Sequence, residues 1–181
     1  MKLLILGAGG YGQTVADMAR QSGKYTRVAF LDDNAEGEDI LGVCSDFLLF
    51  RDRETEMYPA FGNNRSRLNW VDTLAAAGIS VAALVHPTAY VSPTAKLGAG
   101  VMVLPKALVN TGCTVERGCI INCGSIVDHG CTIGAGAHIC LGAIVKAENH
   151  IPACMKAEAG QVIENRAYPL QRRENYDFLQ K

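Results

Sequence analysis

Residues 103–145 read VLPKALVNTGCTVERGCIINCGSIVDHGCTIGAGAHICLGAIV, and a six-residue period runs through them without a break. Val103, Val109, Val115, Ile121, Val127, Ile133, Ile139 and Val145 stand six apart. The same frame reaches back through Leu97 and Val91 to Val85 and forward to Ile151, so that twelve successive positions are aliphatic. Four residues after each comes a second series, Ala89, Ala95, Val101, Ala107, Cys113, Cys119, Ser125, Cys131, Ala137, Ala143, Asn149 and Met155, nearly all small. A period of six fits neither the 3.6 of a helix nor a simple alternating strand. Short parallel strands joined by glycine corners, each coil stacked on the last, satisfy it, with one large and one small side chain per hexad filling a narrow interior. The frame weakens at Ala157, rejoins at Ile163 and Ala167, and is expected to end near Tyr168.

Working outward, three of the seven cysteines (113, 119 and 131) fall on the small inward position, which marks them as small hydrophobes rather than reagents. An odd count without CxxC pairs argues against a disulfide framework and a ribbon-type zinc site, and suits a reducing, cytoplasmic setting. Seventeen basic against eighteen acidic residues leave a net charge of -1, so no field gathers nucleic acid. No apolar run approaches the ~20 residues of a membrane span.

Upstream of the repeat stands one nucleotide-binding unit. Lys2 to Leu6 reads as a buried strand, GAGGYG follows at 7–12, and Val15, Ala16, Met18 and Ala19 mark one face of a helix. Arg27 to Leu31 reads as a second strand ending at Asp32 and Asp33, with Asp32 twenty residues after Gly12, the distance at which a ribose-binding carboxylate belongs. Gly7, Gly9, Gly10 and Gly12 would let the backbone approach a diphosphate at the helix N-terminus. Some 85 residues precede the repeat, enough for one such half but short of the roughly 150 that a full dinucleotide fold needs. A strand is expected to lead into Gly62, Asn63 and Asn64, a helix near Arg65 to Ala77, and a last strand over Ile79 to Val85. The expected divisions are 1–84, an α/β Rossmann-like half domain; 85–168, the parallel β-helix; and 169–181, a polar tail. Within that tail LQRRENYDFLQK, with Tyr176 and Leu179, suits a capping or frayed helix.

A glycine-fingerprint domain, then GNNRSR at 62–67, then VHPTAYVSPTAKLGAG at 85–100 running into hexapeptides, resembles bacterial sugar O- and N-acyltransferases of the sialic acid O-acetyltransferase and UDP-4-amino-sugar acetyltransferase type, over nearly the whole chain. The resemblance implies a left-handed parallel β-helix and a homotrimer with active sites between subunits. It implies acetyl-CoA as donor and a nucleotide-activated amino sugar or sialic-acid-like sugar as acceptor, with no metal, nucleic acid or membrane involved. Carried residue by residue, it makes His129 the general base, His138 the second histidine beside the donor thioester, and Asn122 a neighbouring polar position on the acceptor side. Gly142, Ala143 and Gly160 fall where the donor would bind, and Gly7, Gly9, Gly10, Tyr11, Gly12, Asp32, Asp33, Gly62, Asn63 and Asn64 where the acceptor would. The acid common directly after the catalytic histidine is Gly130 here, leaving Asp128 or a residue across the interface to orient the ring. Tyr11 replaces the histidine of a GGHG turn. The chain is about one coil shorter after Ala143, and a terminal glycine-x-proline-alanine-lysine loop is missing. Two other readings are a non-catalytic trimeric nucleotide-sugar-binding protein and a γ-carbonic-anhydrase-like zinc enzyme using His129, His138 and His150.

Overall fold

A computed structural model describes residues 1–169; the expected C-terminal helix, with Tyr176 and Leu179, lies outside the described residues. The N-terminal unit is a four-stranded parallel sheet in the order β2-β1-β3-β4. Its strands are β1 (Lys2–Leu6), β2 (Arg27–Leu31), β3 (Thr55–Pro59) and β4 (Ser80–Val81). Two helices, α1 (Gly10–Gln21) and α2 (Asn64–Ala76), accompany it. In β1 and β2 the last four residues are buried, as a parallel strand covered on both faces requires. Between β2 and β3 the chain forms a short 3-10 helix, Cys44–Phe50.

The strand expected over Ile79 to Val85 divides in two. Ser80–Val81 closes the N-terminal sheet, whereas Leu84–Val85 is already β5, paired with the coil that follows. One apolar run serves both sheets because Ala82 and Ala83 turn the chain between them, with Ala82 buried in the seam.

From there fourteen two-residue strands follow: β5, β6 (Tyr90–Val91), β7 (Lys96–Leu97), β8 (Met102–Val103), β9 (Leu108–Val109), β10 (Thr114–Val115), β11 (Ile120–Ile121), β12 (Ile126–Val127), β13 (Thr132–Ile133), β14 (His138–Ile139), β15 (Ile144–Val145), β16 (His150–Ile151), β17 (Lys156–Ala157) and β18 (Val162–Ile163). They sort into three parallel sheets, β5-β8-β11-β14-β17, β6-β9-β12-β15-β18 and β7-β10-β13-β16. Thr114 pairs with Thr132, eighteen residues on, so one coil is three hexads. This is a parallel β-helix of the left-handed hexapeptide type.

Both inward series meet in its interior: Val103, Val109, Val115, Ile121, Val127, Ile133, Ile139 and Val145 form one buried cluster with Ala107, Cys113, Cys119, Cys131, Ala137 and Ala143. The cysteines are placed by more than size. Cys119 directs its thiol at the Gly134 carbonyl of the next coil (3.1 Å) and Cys113 at that of Asp128 (3.0 Å), using up donors that a dry core could not otherwise tolerate.

The N-terminal unit covers the outward face of the first sheet, where Leu84, Met102 and Ile120 pack in one cluster with Val15, Ala16 and Tyr58. Helix α2 lies along a corner of the β-helix. A Cβ on Gly136 would come 3.0 Å from Leu68 Cβ, and one on Gly100 2.8 Å from Val71 Cγ2, so glycine is what lets this helix approach.

Candidate active site at the seam between the two units

On the first sheet the outward column runs Leu84, Met102, Ile120, His138, Lys156. The first three are buried, His138 is half-buried and Lys156 is exposed. His138 therefore stands where cover by the N-terminal unit ends. Its Nε2 lies 3.0 Å from Asn122 Nδ2, while Asn122 Oδ1 accepts the backbone N–H of Cys123 (2.8 Å). That second bond orients the amide, so the NH₂ group faces the ring and donates. Nε2 must then be the acceptor and Nδ1 must carry the proton. Burial first, then the charges of Arg67 and Lys156, push the ring down from the ordinary 6.5 to about 4, so His138 is neutral at pH 7.

His129 occupies an exposed corner after β12. Asp128, offered by the sequence as a partner for its ring, does something else: Oδ1 accepts Asn110 Nδ2 (3.1 Å) and the backbone N–H of His129 (2.7 Å). It shapes the corner and makes no hydrogen bond to the imidazole. Gly130 holds the left-handed corner conformation, at φ +67°. Glu148 of the next coil passes over it, its Cγ 3.6 Å from where a Cβ would stand.

Among the expected donor-side residues, Gly142 and Gly160 are exposed and stacked, Gly160 N donating to Leu141 O and Gly142 N to Cys123 O. A Cβ on either would meet nothing within 4 Å, so the corner is a bare ledge. Ala143 does not belong with them. It is fully buried in the β-helix core, as its place in the small inward series demands, and cannot touch a ligand.

The glycine turn separates into two kinds of position. Gly12 is structural, because a Cβ there would lie 2.0 Å from the Gly7 carbonyl oxygen. Gly9 and Gly10 are exposed and face open space. Helix α1 begins there without a side-chain cap, leaving the N–H groups of its first turn available to an anion. Asp32, the expected ribose ligand, is engaged by the protein itself: Ala8 N donates to Oδ2 (2.7 Å), and Asn34 N (2.9 Å) and Ala35 N (2.8 Å) to Oδ1. These amides hold its carboxyl below the usual range and make it a clasp between β2 and the glycine turn. Asp33 accepts Cys44 N with Oδ1 and remains exposed beside a cleft lined by Asn34, Glu36, Ile40 and Gly42.

The GNN stretch is likewise taken up by structure. Asn63 caps α2, accepting Ser66 N (3.0 Å), and Asn64 Nδ2 reaches the carbonyls of Cys154 and Met155. Gly62, whose carbonyl accepts a long bond from Arg67 (3.5 Å), lies beside a cleft shared with Arg65 and Lys156.

Two residues here escaped the sequence reading. Arg67 is fully buried. Its five N–H groups go to Gly118 O (2.8 Å), Phe61 O (2.9 Å), Gly62 O (3.5 Å), Asn64 Oδ1 (2.9 Å) and Gly136 O (2.9 Å), joining the loop before α2 to two corners of the β-helix. Its signal was a basic residue on the apolar spacing 67, 71, 74 of α2, shared with buried Val71 and Leu74. The other is Tyr58, whose hydroxyl lies 2.6 Å from that of Tyr11; nothing in a buried strand announces such a partner.

Within one chain the three histidines of the zinc reading stand apart. His129 is at a corner, His138 on one sheet and His150 on another, and among the described residues no three His, Cys, Asp or Glu side chains gather to hold a metal ion. No described helix is long and apolar enough to cross a membrane.

The family model for the PglD N-terminal domain matches residues 2–74. The acetyltransferase domain of PglB from Neisseria gonorrhoeae FA1090 is 32% identical over 91% of each chain, with a TM-score of 0.82. The chain belongs to the PglD-like sugar acetyltransferases. PerB from Caulobacter crescentus, solved with CoA and GDP-perosamine, is 27% identical to this PglD-like chain over 91% of it and 89% of PerB, with a TM-score of 0.79. The gonococcal domain has also been solved with acetyl coenzyme A, and that structure superposes with a TM-score of 0.62 at 29% identity, covering 93% and 92% of the two chains. No curated protein sequence gives a significant match.

Proposed function

We propose that this PglD-like chain transfers the acetyl group of acetyl-CoA to the amine of a nucleotide-linked amino sugar. The observation that carries the reading is the Asn122–His138 pair, a neutral imidazole of defined tautomer at the edge of the N-terminal unit. A fixed neutral N–H donor suits a thioester carbonyl that becomes an oxyanion, since it needs no reorganisation as charge develops. In this reading His138 Nδ1–H positions the donor carbonyl, and the exposed His129 takes the proton from the amine as its nitrogen attacks. The tetrahedral adduct then expels the CoA thiolate. The ledge of Gly142 and Gly160 runs beside the donor, and the free amides of α1 meet the diphosphate of the acceptor. The amine is favoured over a hydroxyl because the similar perosamine enzyme is an N-acetyltransferase. Seven unpaired cysteines support a reducing compartment, the cytoplasm.

The active form in this reading is a homotrimer. The second sheet turns an outward column of Tyr90, Leu108, Ile126, Ile144 and Val162 to its surface, with Tyr90 53%, Ile126 37% and Val162 46% exposed. These are large apolar side chains, and such a stripe suits a neighbouring subunit. His129 follows directly on this sheet, so a neighbour seated there would wall its pocket.

The test is thiol release from acetyl-CoA with GDP- and UDP-linked 4-amino sugars. His129→Ala should lower kcat by ~10²–10⁴-fold with both KM values nearly unchanged. A loss below about fivefold would move the base elsewhere.

A further inference from the structure

Tyr11 and Tyr58 hold one more proton than they share. Tyr58, on β3, is 0% exposed, and among the described residues the only partner of its hydroxyl is that of Tyr11, with the rings edge to face at 73°. Burial keeps both phenols protonated, pushing Tyr58 up to about 12 and Tyr11 well above its usual value. Two hydroxyls carry two protons, and one hydrogen bond consumes one of them. A donor left without an acceptor inside the protein is costly. Tyr58 is enclosed on every side and escapes that cost only by donating to Tyr11. Tyr11, in the first turn of α1, is partly exposed, and its own proton is left for whatever lies beside it.

The position of Tyr11 narrows what that is. It follows directly on Gly9 and Gly10, whose open side and helix N-terminus suit a diphosphate. Its ring packs in the cluster that includes Cys123, the neighbour of Asn122, which holds His138. In a nucleotide-linked amino sugar the hexose is the part that joins diphosphate to amine, and Tyr11 stands between the places where those two groups would go. A donor aimed at the attacking amine would occupy the one lone pair the reaction needs, so the partner is an oxygen of the ring.

We infer that Tyr11 is a specificity-determining residue for the acceptor, its hydroxyl held by Tyr58 as a neutral donor that reads a hydroxyl oxygen of the sugar. Tyr58 acts through Tyr11 and is a positioning residue. This rests on the nucleotide-sugar reading above.

The experiment compares wild type, Tyr11→Phe, Tyr58→Phe and the double variant by calorimetry and steady-state kinetics. The probes are GDP and UDP alone, their 4-amino-sugar conjugates, and conjugates lacking one ring hydroxyl. Tyr11→Phe should raise Kd and KM for the sugar conjugate about threefold to tenfold, the range of one neutral hydrogen bond. Binding of the bare nucleoside diphosphate and KM for acetyl-CoA should stay within about twofold. Tyr58→Phe should err in the same direction by less. The double variant leaves no orphaned hydroxyl, so it should match Tyr11→Phe on the acceptor whatever the single variant costs in stability. One deoxy conjugate should cost the wild type as much as the Tyr11 change does, and cost Tyr11→Phe nothing more. Unchanged binding of the conjugate, equal losses on bare nucleotide, or deoxy penalties that persist in Tyr11→Phe would overturn the assignment of Tyr11 while leaving acetylation intact. A wild type that acetylates no sugar conjugate would instead remove the functional reading, and this inference with it.

Discussion

His138 shows how one side chain is tuned by three neighbours. Asn122 selects its tautomer, while burial and the charges of Arg67 and Lys156 keep the proton off Nε2. Because its folded value lies below the unfolded one, the unfolded chain takes up the proton first as pH falls from about 6.5 toward about 4, and the folded state loses stability across that window. Thermal midpoints measured from pH 7.5 down to 4.5 should therefore fall in the wild type, and fall less steeply in His138→Gln. Equal slopes would mean that His138 is not held neutral. Asn122→Asp should relieve the effect, since a carboxylate beside Nε2 favours the imidazolium, and the acid limb of the rate profile should move to higher pH.

Among the elements, α1 and its glycine turn have the smallest tolerance. The Gly7 carbonyl oxygen stands 2.0 Å from where a Gly12 Cβ would be, and both partners are backbone. Gly12→Ala should cost roughly 3 kcal/mol, the upper end of ordinary overpacking, readable as a lower urea midpoint. Gly9→Ala, with nothing within 4 Å of the added methyl, should leave that midpoint nearly unchanged. A similar penalty in both variants would show that the two glycines are not of different kinds. Helix α2 makes the complementary case, since its approach to the β-helix depends on glycine corners at 100, 118 and 136 supplied by another part of the chain.

For the whole molecule, Arg67 is the rivet. It binds carbonyls of both units and no carboxylate, so removing it strands acceptors in a dry seam. Arg67→Met should cost about 3–5 kcal/mol, since each buried acceptor left unpaired costs about 1–3 kcal/mol, and should loosen the N-terminal unit from the β-helix before either unfolds. Hydrogen exchange would show early loss of protection along α2; global, single-step unfolding would contradict it. The apolar column on the second sheet belongs to the same scale. If the proposed trimer forms through this column, Ile126→Arg combined with Ile144→Arg should shift sedimentation from trimer to monomer and abolish turnover while leaving the fold intact. An active double variant would place the site within one subunit.

Much of this was legible beforehand because hexapeptide coils and parallel strands are local rules. A side chain every six residues faces inward whatever surrounds the coil, so Ile121, Val127 and Cys131 could be put in the core by counting, as could the strand, turn and helix around Gly7 to Gly12. The same counting places Ala143 inside, against its expected part in donor binding, because a resemblance carried over by motif does not check direction. What only the tertiary structure decided is where long-range partners satisfy polar groups. Asp32 clasps Ala8, Asn64 reaches Cys154, Arg67 bridges two corners, and Tyr58 finds Tyr11, each pairing joining residues more than twenty apart or lying across the seam. Composition and spacing say that a buried donor must be satisfied; they do not say by whom, because that depends on which surfaces the folded chain brings together.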